Sequence, residues 1–353
     1  MNFQTASAFH LLQSLIACPS PSREEHATAD LLHAALTQRG LTAVERLHNN
    51  IYIRSARWDA DAPTLLLCSH HDTVRPAASY TRDPYSPAVE GDRLYGLGSN
   101  DAGASVVCLV EAFCALQHTP LAVNMILALV GEEEIGGAHG VSALLPELGP
   151  IDMALVGEPT GMQAAVGERG LVVLDGEAHG KSGHAARGEG INALYRAIDD
   201  INSLRTYRFP RTSSLLGDIG VSVTGIECGT QHNVVPDVCR YMVDVRTTDA
   251  YTNEETVGLL QSVVRHSTLT PRSTRLRASA ISDTHPLVAA ARATGATTFV
   301  SPTMSDMSLI PAPSLKMGPG QSARSHTADE YVLLSEIAAG IAGYTALIQR
   351  IRL

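Results

Sequence analysis

Three apolar runs in this chain each end on a cluster of acids or histidines. Residues 64–68 lead into Ser69-His70-His71-Asp72, residues 123–130 into Gly131-Glu132-Glu133-Glu134, and residues 151–156 into Gly157-Glu158-Pro159-Thr160. Short apolar runs bounded by glycine or turn residues read as buried strands of a parallel sheet. Ligands of open α/β sheets gather just beyond the carboxyl ends of such strands. Three strand ends would therefore deliver carboxylates and imidazoles to one edge of one sheet. That much negative charge is tolerable only with cations in it. The residues predict a metal site with more than one ion.

Divalent ions of hard or borderline character take imidazole and carboxylate ligands. The candidates are His70, Asp72, Asp101, Glu133, Glu134, Glu158 and a histidine later in the chain. His70 and Asp72 point to the same side of an extended segment, so one can ligate while the other orients it through the second ring nitrogen. Glu133 and Glu134 are neighbours and must diverge. One can be a ligand and the other a general base for water. Each piece alone has a bland reading: a surface His-x-Asp, acids that start a helix, a turn before Pro159. The conjunction at three strand ends carries the inference.

The elements that must position these groups alternate along the chain. Helical periods cover residues 7–17 and, after a cap at Ser22 with Glu24 and Glu25 in the first turn, a segment closing near Gly40. Residues 44–53 read as one strand, and residues 59–63 as an acidic loop. The glycine-punctuated turn at 94–101 opens an apolar helix at 102–116, which sets Asp101 at a helix N-terminus. Residues 135–148 look helical. Character changes after Pro159: a strand over 164–178, a tight turn at 180–184, a helix at 191–204, strands at 220–226 and 240–246, and a helix at 253–266. That order suggests a small α+β module inserted into the larger domain. Residues 287–293 and 336–348 read as helices returning to the first domain. The fold class expected is α/β: a mixed, mostly parallel sheet flanked by helices, built from residues 1–163 and 275–353, with an inserted α+β module at 164–274.

Bulk properties bound the partners. At 353 residues, two domains are expected. Apolar residues make up 44% and charged residues 18%, as in an ordinary globular protein. A formal net charge of −10 disfavours a nucleic-acid surface. The first residues lack an export signal, and no run reaches the roughly 18–20 apolar residues of a membrane span. Six cysteines without a Cys-x-x-Cys pair fit reduced thiols in the cytoplasm. Cys68 lies near His70, but no exposed base partner for a nucleophile is evident. His71 reads as a neighbour of the working pair.

The strings His70-His71-Asp72-Thr73-Val74, Gly98-Ser99-Asn100-Asp101, Gly131-Glu132-Glu133-Glu134-Ile135-Gly136-Gly137 and Gly157-Glu158-Pro159-Thr160 resemble, in order, the signatures of the dinuclear zinc deacylases and exopeptidases. That family includes acetylornithine deacetylase and succinyl-diaminopimelate desuccinylase. Gly180-Lys181-Ser182-Gly183-His184 is similar to its dimerisation-domain turn. Asn233-Val234-Val235-Pro236-Asp237 and Asp244-Val245-Arg246 are similar to its lid motifs, and His326-Thr327-Ala328-Asp329-Glu330-Tyr331 to its last ligand motif. The resemblance spans nearly the whole chain. It implies two Zn2+, with Co2+ able to substitute, and Asp101 as the bridge. His70 and Glu158 would complete one ion's protein ligands, Glu134 and His326 the other's. Asp72 would orient His70, and Glu133 would be the general acid/base. His184 would reach a partner subunit's site to stabilise the oxyanion, which implies a homodimer. Asn233 and Arg246 would hold the substrate's polar and carboxylate groups.

Departures from the family pattern bear on specificity. Ala102-Gly103-Ala104 stands where Met-Lys-Gly is common, and Ser308 stands where the family often has arginine. Arg324 is unusual so near the last ligand and could take over carboxylate binding, since guanidinium–carboxylate forks are strong. The strings Gly-Leu-Gly-Ser-Asn-Asp-Ala-Gly-Ala and Lys-Met-Gly-Pro-Gly resemble the acetylornithine-deacetylase-like branch of arginine biosynthesis. The substrate expected is a small N-acylated amino acid, N-acetyl- or N-succinyl-ornithine or -citrulline, with neither nucleic acid nor membrane as partner. The alternatives are a dipeptide exopeptidase with the same metals, a non-catalytic metal-binding relative, which the presence of Glu133 disfavours, and a serine or cysteine hydrolase.

Overall fold

A computed structural model describes residues 3–353. The chain divides into two compact units, one formed by the chain up to Gly167 with Ile281–Ser301 and Ser305–Leu353, the other by Glu168–Ala280 with Pro302–Met304. The second unit thus runs to Ala280, beyond the 164–274 segment expected from the sequence.

The first unit is built on β1 (Asn50–Arg54), β2 (Thr64–His70), β3 (Asn124–Val130) and β4 (Met153–Val156). β2 pairs in parallel with β3 on one side and β4 on the other, and Ser314–Lys316 adds a further parallel strand beside β4. Every residue of β2, β3 and β4 is buried. Their continuous apolar runs have that cause: both faces of the sheet are covered. On one face lie Val141, Leu144 and Leu148, with Met307 and Ile310, against Leu66, Cys68, Ile126, Ala128 and Val156. The helix Ala104–Leu116 packs against β2 and β3 and also meets the helices Phe3–Ile16 and Leu334–Arg350. Enclosed in this way, it is apolar almost all round. Residues 99–116 are apolar and long enough to cross a membrane by composition, yet 83% of that window is buried within the protein.

Four sequence expectations change locally. Residues 44–53 form a hairpin, Glu45–Leu47 antiparallel to β1, because His48 takes a left-handed φ of 54° and reverses the chain. Residues 135–148 are helical only over Val141–Leu148; Gly136, at φ 53°, ends a single turn begun at Glu133. Residues 164–178 are two strands, Ala164–Glu168 and Gly170–His179, instead of one. Ser22 does not cap the second helix, His26–Gln38: Glu25 precedes it without a side-chain cap, and Ser22 donates to Asp72 instead.

The second unit is a four-stranded antiparallel sheet in the order Gly220–Cys228, Val238–Thr247, Gly170–His179, Ser267–Pro271. Val172, Leu174, Tyr241, Val243 and Val245 on one face meet Ala193, Ala197 and Leu204 of the helix Ala193–Thr206 and Leu260 of Asn253–Val263. The strands alternate buried and exposed, as a sheet covered on one face must.

Candidate metal centre

The site grows from the carboxyl ends of the parallel strands. His70 closes β2 opposite Val130 of β3, so the turn Gly131–Glu134 begins beside it. Glu158 follows β4 by two residues. Asp101 comes from the other side, in the irregular turn Ser99–Gly103, where its φ/ψ of −117°/103° is not helical. The helix proper begins at Ala104, two residues later than the sequence suggests, and Asp101 stands before its first turn.

These residues converge. His70 Nε2 lies 3.2 Å from Asp101 Oδ1, 3.6 Å from Glu158 Oε1 and 3.9 Å from Glu133 Oε2. His326 Nε2 lies 2.9 Å from Glu134 Oε2 and 3.7 Å from Asp101 Oδ2. Among the described residues, His70, Asp101 and Glu158 form one set of donors that could hold a metal ion, and Asp101, Glu134 and His326 another. Within each set the donor atoms lie within 4.8 Å of one another. Asp101 belongs to both, one carboxylate oxygen toward each histidine.

The electrostatics fit cations. Burial, and then the charge of Asp101, pushes the Glu158 carboxyl up to about 8, a rise that His70 and then Lys316 on the adjoining strand only partly offset. Burial first, and neighbouring carboxylates Glu158 and Asp306 with it, raise Glu133 well above the usual range against the opposing pull of His70. For His70, burial favours the neutral ring, but hydrogen bonds to Asp101 and Asp72 outweigh it and raise its pKa. His326 is pushed to about 9, chiefly by its hydrogen bond to Glu134. Carboxylates this crowded and this dry hold protons unless another cation takes their place. Oxygen and imidazole donors suit borderline divalent ions.

Asp72 has a wider task than orienting His70. The nearest partner of His70 Nδ1 is the Asp72 backbone carbonyl at 3.0 Å, with the carboxylate at 3.5 Å. The carboxylate itself accepts from Ser22 Oγ at 2.7 Å and from the backbone N–H groups of Glu133 and Glu134 at 3.1 and 3.2 Å. Buried Glu25 does similar work one residue earlier, accepting from Glu132 N at 3.1 Å and Asn49 Nδ2 at 2.9 Å. Glu132 takes a left-handed φ of 57° there. Sequence reading missed Ser22 and Glu25 in these roles, because their partners lie far along the chain and have no local spacing. His71 is structural: its Nδ1 meets Thr28 Oγ1 and its Nε2 the Asn49 carbonyl, both at 2.9 Å. Cys68 is fully buried, and burial raises its thiol pKa, which suits an inert core group.

The remaining candidates have other surroundings. The Arg324 guanidinium forks onto Glu336 at 2.7 and 3.2 Å and stacks over Tyr331 at 4.5 Å. Arg324 and Glu336 are each only 18% exposed, so this pair is an internal tie between the loop and the helix Leu334–Arg350. His184, Asn233 and Arg246 belong to the second unit. His184 Nδ1 accepts from Ala186 N at 3.1 Å, and the Asn233 carbonyl accepts from Ala185 N at 3.0 Å, so these two lie on adjoining segments. Arg246 forks onto Asp244 two residues away, at 2.8 and 3.1 Å, on the exposed face of its strand.

Residues 66–350 match the profile of peptidase family M20/M25/M40, and the chain belongs to that family of metal-dependent hydrolases. A succinyl-diaminopimelate desuccinylase of Dinoroseobacter shibae is 30% identical over 276 residues, covering 72% of this chain and 71% of that protein. Among solved structures, aminopeptidase PepT of Bacillus cereus superposes with a TM-score of 0.79 over 98% of both chains at 18% identity. A Bacillus subtilis protein described as a dinuclear metal-binding peptidase of the M20 family superposes at 0.71, covering 99% of this chain and 98% of that one, at 16% identity. These likenesses establish the α/β fold.

Proposed function

We propose that the chain is a zinc-dependent N-acyl-amino-acid deacylase, cleaving the amide of N-acetyl- or N-succinyl-ornithine or -citrulline. The observation that carries this reading is Asp101 standing between two histidine–carboxylate sets, with Glu133 beside one of them. His70 and Glu158 would hold one ion and Glu134 and His326 the other, with Asp101 shared. A bound pair of divalent ions would supply Lewis acidity to the water and to the acyl carbonyl. Glu133 takes the proton of the attacking water and delivers it to the leaving amine. Asp72, through the Glu133 and Glu134 amides, keeps the base aimed.

In the second unit, His184 of a partner subunit supplies the oxyanion donor in a homodimer, while Asn233 and Arg246 bind the polar ends of the substrate. The domain roles follow: the first unit catalyses, and the second dimerises and closes. A second reading has specific support. The similar succinyl-diaminopimelate desuccinylase favours a succinyl acyl group and makes N-succinyl-diaminopimelate a competing substrate.

Chelation followed by zinc or cobalt re-addition, with N-acetyl- and N-succinyl-ornithine and -citrulline, N-succinyl-diaminopimelate and dipeptides as substrates, tests the proposal. Metal-restored release of acetate or succinate is expected. Cleavage of dipeptides alone would move the reading to an exopeptidase, and activity indifferent to chelators would end it.

A further inference from the structure

The Asp101 turn and the His326 segment are far apart in sequence, yet one carboxylate ties them together. Glu330 is 2% exposed. Its Oε1 accepts from Asn100 N at 2.8 Å and Asp101 N at 2.9 Å, and its Oε2 accepts from Gly98 N at 3.1 Å. Its own carbonyl accepts from Gly96 N at 2.9 Å. The turn that offers these amides needs Gly98 at a left-handed φ of 74°. Backbone N–H groups gathered in this way make a concavity for an anion, and here the anion is a side chain of the chain itself. The same segment is anchored a second time: Asp329 accepts from Thr81 N at 2.9 Å and Arg82 N at 3.1 Å. His326 lies four residues before Glu330, at a left-handed φ of 58°.

We propose that Glu330 is a positioning residue that fixes the spacing between Asp101 and His326, and so governs one ion of the pair more than the other. This rests on the two-ion reading above. The His70 set draws two of its three donors from the ends of β2 and β4, which the sheet holds whatever Glu330 does. The His326 set has no strand behind its histidine, which is 54% exposed. Among the described residues, Glu330 has no hydrogen bond or ion pair to a donor atom of either set. It acts through the backbone of Asp101 and the segment that carries His326.

Glu330→Gln keeps the shape but turns an amide NH2 toward at least one of the three backbone donors. Cobalt titration followed by absorbance, with zinc retained after dialysis, reads each ion without reference to turnover. The wild type should hold two equivalents. The variant should hold one as tightly and the other about 10–100-fold more weakly, the usual cost of losing a group that orients a ligand. A wild type that binds fewer than two ions would overturn the two-ion reading itself. A wild type with two, and a variant that binds both unchanged or loses both equally, would overturn this inference alone. Should Glu330→Gln not fold, Glu330→Asp keeps the charge and withdraws it by one methylene, with the same expected loss. Amide exchange on the metal-free wild type needs no variant. Asn100 and Asp101 should be protected without metal, and exchange at open-loop rates would refute the clamp.

Discussion

The two donor sets share Asp101 but are built in opposite ways. The His70 set sits at the ends of paired parallel strands, with the His70 side chain 1% exposed and Glu158 13% exposed. The His326 set pairs the Glu134 turn with a loop histidine whose side chain is 54% exposed. A sheet defines a strand end through ladder bonds on both sides, whereas a loop depends on a few specific hydrogen bonds. The first ion would meet a preformed pocket. The second would meet a site partly ordered by clamps such as Asp72 and Glu330.

Removal of what the two sets share should have the largest effect. Asp101→Ala is expected to lose both equivalents of metal and all measurable turnover, by metal analysis and assay together. One full equivalent retained would mean that the sets are independent. Glu133→Ala should come next, lowering kcat by about 10²–10⁴-fold with both ions still present; near-normal turnover would remove the proposed base. His326→Ala should release a single equivalent and spare the buried one, so a loss of both would erase the contrast between sheet-built and loop-built donors. The smallest effect should be that of Arg324→Ala. Freed of its fork to Glu336, the protein should lose about 2 kcal/mol of stability in denaturant melts, with KM for an acylated amino acid unchanged. A large rise in KM would restore Arg324 as a substrate ligand.

The parts legible in sequence were those with local causes. The runs at 64–68, 123–130 and 151–156 announced buried parallel strands because a sheet covered on both faces needs continuous apolar stretches. The inserted module was legible as alternating strand and helix segments because each has its own hydrophobic period. Reversals were harder. The hairpin at His48 and Asn49 uses a left-handed histidine with no glycine to mark it. Ser22 looked like a helix cap because serine before two glutamates has that local pattern, and only the fold brings the Asp72 carboxylate to it. Arg324 looked free because Glu336 follows it by twelve positions, on the next helix.

By itself, then, the sequence determined which side chains could do chemistry and that most of them stand at strand ends, because side-chain type and hydrophobic period are properties of short segments. Only the tertiary structure decided that Asp101 faces both histidines, that Asp72 holds the Glu133 turn by its amides, and that Glu330 joins two distant loops. Those choices rest on hydrogen bonds between residues tens to hundreds of positions apart. Such bonds form only once the core has closed, and no local pattern encodes them.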